Sequence, residues 1–169
     1  IGRALALNLA GKGALLALSD VDEAGLAETV DLAKAAGAKE VRSDRLDVAD
    51  RAAMTTYADA VAEQFGRVNV VINNAGVALA GDFTDLEYGD MDWIVGVNFW
   101  GVVHGTKAFL PHLEASGEGH VVNISSVFGL TAQPLMSGYN ASKYAVRGFT
   151  ESLRQDLELT GSCVSATCV

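Results

Sequence analysis

Short apolar runs alternate with longer amphipathic stretches along this sequence, and this alternation constrains the fold more than any other feature. Runs such as residues 14–19 and 68–72 are short and continuous, which suits strands buried on both faces. The segments between them are long enough for helices, so that consecutive strands are expected to lie parallel and to be joined by helical crossovers. The alternation therefore predicts a doubly wound, three-layer α/β domain with a parallel sheet.

The predicted elements follow one another without a linker. Helices are expected at residues 3–10, 22–36, 50–65, 88–115 and 139–160, and strands at 14–19, 40–46, 68–72, 120–125 and 163–169. Pro111 lies near the end of the fourth helix, where it is tolerated or introduces a kink. Residues 126–138 are expected to form a loop.

Composition excludes several classes of protein. Half of the 169 residues are hydrophobic, which argues against disorder, and no apolar stretch is long enough for a membrane span. A formal net charge of −9 repels nucleic acid and anionic lipid. Cys163 and Cys168 are expected to be buried free thiols, which indicates a reducing compartment such as the cytoplasm. The three histidines have no spacing that suits a metal site.

Polar residues follow several predicted strands, at the edge where open α/β sheets bind ligands. Asp20, Asp47, residues 73–76 and Ser126 come after four successive strands. Because the carboxyl ends of parallel strands meet at one edge of the sheet, a ligand site is expected there. Asn73 is assigned a structural role, since amides after a buried strand often tie neighbouring strands together.

The spacing of Ser126, Tyr139 and Lys143 suits proton transfer to or from a carbonyl or alcohol oxygen. Tyr139 and Lys143 are four residues apart on a predicted helix, so they share one face. A nearby ammonium favours the phenolate form of a tyrosine, which makes it useful as an acid–base group. Ser126 is placed to donate a hydrogen bond to a substrate oxygen. Taken alone, the Tyr–Lys pair is also explained as a solvated helical pair.

Four motifs in register resemble those of the short-chain dehydrogenase/reductase family. They are Asn-Asn-Ala-Gly at 73–76, Val-Asn-Phe-Trp-Gly at 97–101, Asn-Ile-Ser-Ser at 123–126 and Tyr-Asn-Ala-Ser-Lys at 139–143. Their order and spacing agree with the family across essentially the whole chain. The resemblance implies a Rossmann-like fold and an oxidoreductase that transfers a hydride between NAD(P) and a secondary alcohol or ketone.

The resemblance also implies a catalytic tetrad. Tyr139 resembles the catalytic acid/base, and Lys143 resembles the residue that favours the phenolate and binds the nicotinamide ribose. Ser126 resembles the hydroxyl that orients the substrate, so Ser126 and Tyr139 are the expected substrate-binding residues. Asn98 resembles the fourth member, which holds a water in a proton relay from the lysine.

Further residues resemble cofactor-binding groups of the family. They are Ile1 and Gly2 at the end of the phosphate loop, Asp47 and Val48 beside the adenine, and Asn74, Ala75 and Gly76 along the cofactor wall, together with Tyr139 and Lys143. Asp20 stands where a carboxylate accepts both adenosine ribose hydroxyls and repels a 2′-phosphate, so NAD is expected over NADP. Asp20 and Asp47 are alternatively the N-caps of the helices that follow them.

The family pattern extends beyond both ends of the chain. It places a central strand and the earlier glycines of the phosphate loop before Ile1, and a substrate-covering region after Val169. Residues 1–169 are therefore expected to be a truncated dinucleotide-binding domain that neither folds stably nor binds NAD when expressed alone.

Several features leave alternatives open. Phe128, Leu130, Leu135 and Met136 are candidates for an apolar substrate pocket, although core packing explains them equally well. The helices at 88–115 and 139–160 resemble those that build family homodimers and homotetramers, with core packing as the alternative. An NADPH-dependent ketoacyl-type reductase and a non-catalytic dinucleotide-binding scaffold are the alternative functions.

Overall fold

The computed structural model describes all 169 residues and shows helices that alternate with parallel strands. The elements are α1 (Gly2–Ala10), β1 (Leu15–Asp20), α2 (Glu23–Ala35), β2 (Glu40–Arg45), α3 (Arg51–Phe65), β3 (Val70–Asn73), α4 (Tyr88–Val95), α5 (Gly101–Ala115), β4 (Gly119–Asn123), α6 (Ser137–Thr160) and β5 (Val164–Cys168). The predicted Rossmann-like α/β fold is confirmed. None of the helices has both the length and the apolar character needed to cross a lipid bilayer.

The five strands form two parallel sheets rather than one. β1 pairs with β2, with Leu15 opposite Glu40. The other sheet has the order β3-β4-β5, with Asn73 opposite Asn123. No ladder joins the two sheets, so β1 and β3 each have one edge without a hydrogen-bonded neighbour.

This open edge changes the burial expected of two strands. Leu15 at the start of β1 is 43% exposed, and Val70 at the start of β3 is 53% exposed. The prediction that both strands are buried on both faces is therefore wrong at these residues. Their side chains border an edge that lacks the neighbouring strand that would cover them.

The predicted single helix at 88–115 is also wrong in one respect. A π-helical turn at Gly96–Trp100 separates α4 from α5. There the backbone N–H of Gly101 bonds to the carbonyl of Gly96, five residues back. Pro111 lies inside α5 without ending it. The bounds of the other elements agree with prediction to within two residues.

Two hydrophobic clusters hold the elements together. The larger one lies between the β3-β4-β5 sheet and helices α3, α5 and α6, and includes Val71, Val121 and Leu113. The smaller one joins α1, β1 and α2 through residues such as Ala10 and Leu16. Burial of this apolar surface fixes the helices against the strands and so positions the carboxyl edge.

The two cysteines differ from the prediction of buried thiols. Both are free, but Cys163 is exposed and Cys168 is half-buried. Cys163 lies in the turn between α6 and β5, outside the strand that was expected to contain it. A turn at the surface offers no packed neighbours on its outer side, so the expectation fails there.

Candidate active site

Most of the predicted site residues lie on segments that follow the carboxyl ends of the strands. Asp20 ends β1, Asn74 follows β3, and Ser126 lies three residues beyond β4. Because Asn73 and Asn123 are paired across β3 and β4, the segments that follow them leave the sheet side by side. Helix α6 packs against this edge and carries both Tyr139 and Lys143.

Lys143 is the most unusual residue of the site, because it is a buried cation without an acidic partner. Its side chain is 4% exposed, and its Nζ donates a hydrogen bond of 3.0 Å to the carbonyl oxygen of Ile124. The same Nζ lies 5.7 Å from the centre of the Tyr139 ring. Burial lowers the pKa of Lys143, with a smaller opposing effect from nearby Cys168. Buried lysines without a partner are rare, and such groups mark candidate functional sites.

Gly76 brings the segment after β3 against this lysine. A Cβ at Gly76 would lie 3.4 Å from Nζ of Lys143 and 3.3 Å from Oδ1 of Asn98. The glycine backbone therefore forms a close wall beside both side chains. Gly76 and its neighbour Ala75 are themselves exposed, which leaves this wall open on its other side.

Asn98 is fully buried in the π-helical turn and clamps the segment after β3. Its Oδ1 accepts a hydrogen bond of 2.8 Å from the backbone N–H of Val77, and its Nδ2 donates to the Val77 carbonyl at 2.9 Å. Nδ2 also donates to Oγ of Ser142 at 3.1 Å. These contacts join the segment after β3, the π-helical turn and helix α6. The relay water that the resemblance assigns to Asn98 stays a prediction.

Ser142 is a site residue that sequence reasoning missed. It is buried, and its Oγ donates a hydrogen bond of 2.8 Å to the backbone carbonyl of Tyr139 while accepting one from Asn98. Ser142 thus connects the clamp at Asn98 to the turn of α6 that presents Tyr139. A serine inside a helix, on the side where apolar residues are expected, is the signal that points to it.

The two serines after β4 have different roles. Ser125 is buried, and its Oγ donates to the backbone carbonyl of Lys143 at 2.9 Å, so it fixes α6 to the strand end. Ser126 is half-buried, and its Oγ accepts a hydrogen bond from the backbone N–H of Phe128 at 3.1 Å. An accepting hydroxyl keeps its hydrogen for another partner, so Ser126 can donate to a ligand oxygen.

Phe128 connects Ser126 to the tyrosine. It lies in the short 3-10 turn Val127–Gly129 that Ser126 begins. Its ring packs edge to face on the Tyr139 ring, with 6.1 Å between centres and 88° between planes. Tyr139 is half-buried, so part of its side chain stays accessible beside the serine segment.

Asn73 makes the contacts expected of a structural residue. Its Nδ2 donates to Oδ1 of Asn123 at 2.8 Å and to Oγ1 of Thr106 at 3.2 Å. Asn123 in turn donates to Oγ1 of Thr150 on α6 at 2.9 Å. This chain of amides and hydroxyls ties β3 and β4 to the two helices that flank the site.

Asp20 and Asp47 are exposed, and neither is the N-cap of the next helix. Asp22 caps α2 and Asp50 caps α3, so the N-cap alternative is wrong for both residues. Oδ1 of Asp20 accepts a hydrogen bond of 3.0 Å from the backbone N–H of Asp22. This bond fixes the carboxylate at the strand end and leaves its other oxygen for a ligand.

Val48 lies close to Gly101 at the start of α5, and Gly2 lies close to the side chain of Asn74. Val48 is half-buried against α5, where a Cβ at Gly101 would come within 2.6 Å of its Cγ2. At Gly2, the first residue of α1, a Cβ would lie 2.8 Å from Nδ2 of Asn74. Ile1 before it is 83% exposed. The N-terminus of α1 therefore meets the segment after β3, and its free N–H groups suit an anionic group such as a pyrophosphate.

The parallel α/β fold, with a Tyr–Lys pair and polar groups at the carboxyl edge, is that of a Rossmann-like protein. The family model of short chain dehydrogenases matches residues 1–169. The chain belongs to the short-chain dehydrogenase/reductase family.

Individual relatives agree with this assignment. The putative oxidoreductase SadH of Mycobacterium tuberculosis is 61% identical over the whole chain, which spans 61% of the length of that protein. A short-chain dehydrogenase/reductase of Burkholderia phymatum, solved with NAD, is 42% identical with a TM-score of 0.93, and the match covers 99% of this chain and 60% of that one. A metagenomic short-chain oxidoreductase, solved with NADP, is 29% identical with a TM-score of 0.91, and the match covers 99% and 74% of the two chains.

Proposed function

We propose that the protein is an NAD(P)-dependent oxidoreductase that interconverts a secondary alcohol and a ketone, with Asn98, Ser126, Tyr139 and Lys143 as its catalytic tetrad. The observation that carries this proposal is the buried, acid-free ammonium of Lys143 beside the Tyr139 ring. Lysines are almost never fully buried without a charged partner, and an ammonium beside a phenol favours the phenolate form. The M. tuberculosis relative is named an oxidoreductase, which supports the same class.

Each residue of the tetrad has a separate task in this proposal. Tyr139 exchanges a proton with the substrate oxygen, and the Lys143 ammonium stabilises the phenolate form. Ser126 donates a hydrogen bond to the same oxygen. Asn98 keeps the Val77 segment and Gly76 against Lys143, and a relay water at Asn98 completes the proposed tetrad. When bound, NAD(P) supplies or accepts the hydride at the carbinol carbon.

The remaining site residues fit a dinucleotide. Gly2 carries no side chain at the N-terminus of α1, which suits the close approach of a pyrophosphate. The exposed Asp20 would hold the adenosine ribose, and Asp47 and Val48 would contact the adenine. Asn74, Ala75 and Gly76 would line one wall of the cofactor site. Ile1 would lie at the end of the phosphate loop. Because Val21 and not a basic residue follows Asp20, we propose NAD over NADP.

Replacing Tyr139 by Phe in the full-length protein tests the proton transfer. The phenyl ring keeps the packing against Phe128 but has no hydroxyl, so we expect turnover to fall by at least about 100-fold. The affinity for NAD should change little, because the ring and Lys143 stay in place. Absorbance of reduced cofactor and NAD titration measure the two effects. Turnover close to wild type would contradict the proposal.

Replacing Asp20 by Asn tests the cofactor preference. The amide removes the charge that would repel a 2′-phosphate and weakens the contact with the ribose hydroxyls, so the preference for NAD in kcat/KM should fall by about 10-fold. Asp31→Asn removes the same charge from an exposed position on α2 and is the matched control. A wild-type preference for NADP would overturn our interpretation of Asp20.

We also propose a domain assignment, an assembly state and a location for the protein. We assign residues 1–169 to one dinucleotide-binding domain of a cytoplasmic homodimer or homotetramer with a small-molecule alcohol or ketone as substrate. The ring of Trp100, which is half exposed and stacked on His104, supports a contact surface at the start of α5. Two free thiols support a reducing compartment.

A further inference from the structure

Ser142 links the π-helical turn to helix α6 through one buried hydroxyl. The serine is 1% exposed and precedes Lys143 directly. Nδ2 of Asn98 donates to Oγ of Ser142 at 3.1 Å, and the same Oγ donates to the backbone carbonyl of Tyr139 at 2.8 Å. The amide, the hydroxyl and the carbonyl therefore form one directed chain of hydrogen bonds.

The Asn98 side chain depends on Ser142 for one of its partners. Oδ1 and one N–H of Nδ2 pair with the backbone of Val77, and Ser142 is the partner of the second N–H. Asn98 is fully buried, so removal of the serine hydroxyl would leave that donor without a partner. A buried donor without a partner is costly, and this penalty favours a shift of the Asn98 side chain.

A shift of Asn98 would reach the ammonium of Lys143 through Gly76. Two hydrogen bonds join Asn98 to Val77, and Gly76 directly precedes Val77. A Cβ at Gly76 would lie 3.3 Å from Oδ1 of Asn98 and 3.4 Å from Nζ of Lys143, so the glycine backbone lies against both groups. The same Nζ lies 5.7 Å from the centre of the Tyr139 ring. The position of the ammonium beside the phenol therefore depends on the Asn98 amide.

Thr150 makes the same kind of contacts on the same helix, but away from the proposed tetrad. Its Oγ1 accepts a hydrogen bond from Nδ2 of Asn123 at 2.9 Å and donates to the backbone carbonyl of Val146 at 2.7 Å. Like Ser142, Thr150 is almost fully buried. It lies about two helical turns beyond Lys143. Its hydroxyl therefore serves as a matched comparison for a purely structural role.

We propose that Ser142 is a positioning residue of the proposed reaction. Its hydroxyl fixes the Asn98 amide relative to the Tyr139 backbone, and this arrangement keeps the Lys143 ammonium beside the phenol. The inference rests on the proposed function and adds a residue that is too buried to touch substrate or cofactor. Without the hydroxyl the ammonium is held less closely, so the phenolate form is less favoured. Alcohol oxidation then needs a higher pH, while binding of the alcohol and of NAD changes little.

The test compares Ser142→Ala, Ser142→Thr and Thr150→Val in the full-length protein. The substrate is whichever of 2-propanol, cyclohexanol and 2-octanol the wild type oxidises fastest with NAD. Ser142→Ala should lower kcat by about 10-fold and raise the midpoint of the kcat–pH profile by about one pH unit. KM for the alcohol and for NAD should stay within about twofold of wild type, because the lost contact is remote from both. Cys168, whose charge acts on Lys143, is the same in all variants.

The other two variants separate positioning from general stability. Ser142→Thr keeps the hydroxyl and should recover most of the kcat and the wild-type pH midpoint. Thr150→Val removes a hydroxyl with equivalent contacts, so it should lower the melting temperature about as much as Ser142→Ala does and leave kcat and the pH midpoint unchanged. If the extra methyl group of Ser142→Thr prevents folding, the comparison of Ser142→Ala with Thr150→Val still decides.

An unchanged kcat and pH midpoint in Ser142→Ala would overturn this inference. Equal losses of kcat in Ser142→Ala and Thr150→Val would also overturn it, since the hydroxyl would then act only through general stability. A Ser142→Thr protein that is as stable as wild type but as slow as Ser142→Ala would contradict it too. Failure of the proposed function looks different, because wild type would then oxidise none of the three alcohols.

Discussion

At the scale of single residues, Lys143 is a buried positive charge that no carboxylate neutralises. The ammonium has one backbone carbonyl as its hydrogen-bond partner, and Lys143 itself is buried. Such burial costs stability and leaves the positive charge directed to the nearby phenol. In the proposed mechanism this loss of stability serves an electrostatic function, as is common in active sites.

Replacing Lys143 by Met therefore has opposite effects on stability and on turnover. Turnover should fall by at least about 100-fold, while the free energy of unfolding at pH 7 should rise by about 1 kcal/mol, because the buried charge is removed. Burial lowers the pKa of Lys143, so the folded state releases this proton at a lower pH than the unfolded state does. Wild type should thus regain stability as the pH rises towards 10.5, and the advantage of the variant should shrink.

Urea unfolding at several pH values, together with an activity assay, measures these effects in the full-length protein. Lys39→Met removes an exposed lysine and is the control, with little change expected in either quantity. A Lys143→Met protein that is less stable than wild type at pH 7 would show that the ammonium has a structural role.

Sequence spacing predicted the candidate site residues but not the contacts that hold them in the structure. Ser126, Tyr139 and Lys143 follow from residue types at fixed intervals along a strand end and a helix. The buried contacts of Ser142 depend on an atom that is distant in sequence, Nδ2 of Asn98. Intervals along one segment carry no information about such partners.

At the scale of elements, the π-helical turn between α4 and α5 explains how Asn98 reaches the segment after β3. Apolar periodicity predicted one helix there, because an extra residue in a single turn hardly disturbs a pattern read over many residues. The turn carries Asn98, whose side chain forms two hydrogen bonds with the backbone of Val77. π-helical turns of this kind are frequent at functional sites.

Gly101, at the start of α5, links the helix to the proposed adenine side of the site. Its replacement by Ala would force Val48 to move, which should cost more than the roughly 1 kcal/mol that alanine gains over glycine in a helix. We expect a net loss of about 1 kcal/mol in the free energy of unfolding and a several-fold weaker affinity for NAD. Calorimetry and cofactor titration measure the two effects.

Gly89→Ala is the matched control for this substitution. A Cβ at Gly89, in α4, would meet no atom within 4 Å, so the change should leave stability unchanged or slightly raised and NAD affinity unaltered. Equal behaviour of the two alanine variants would contradict the role assigned to the contact between Gly101 and Val48.

At the scale of the whole molecule, the alternation of elements predicted the fold class, and the proposed site lies at the edge where such folds bind ligands. The alternation did not predict that the strands fall into two sheets, since pairing depends on which strands are neighbours and not on their individual patterns. The resemblance implies a further strand at the centre of the sheet, which stays a prediction. That residues 1–169 alone do not fold stably stays a prediction.

We propose that the carboxyl edge holds a secondary alcohol so that its carbinol carbon would give a hydride to NAD(P) while Tyr139 would take the hydroxyl proton. The most direct measurement supplies the full-length protein with NAD and a secondary alcohol deuterated at the carbinol carbon, and follows the label by mass spectrometry. We expect deuterium in the reduced cofactor and ketone as the product with wild type, and at least about 100-fold slower transfer with Tyr139→Phe. Binding of NAD without transfer from any secondary alcohol, or equal transfer by the two proteins, would contradict the account.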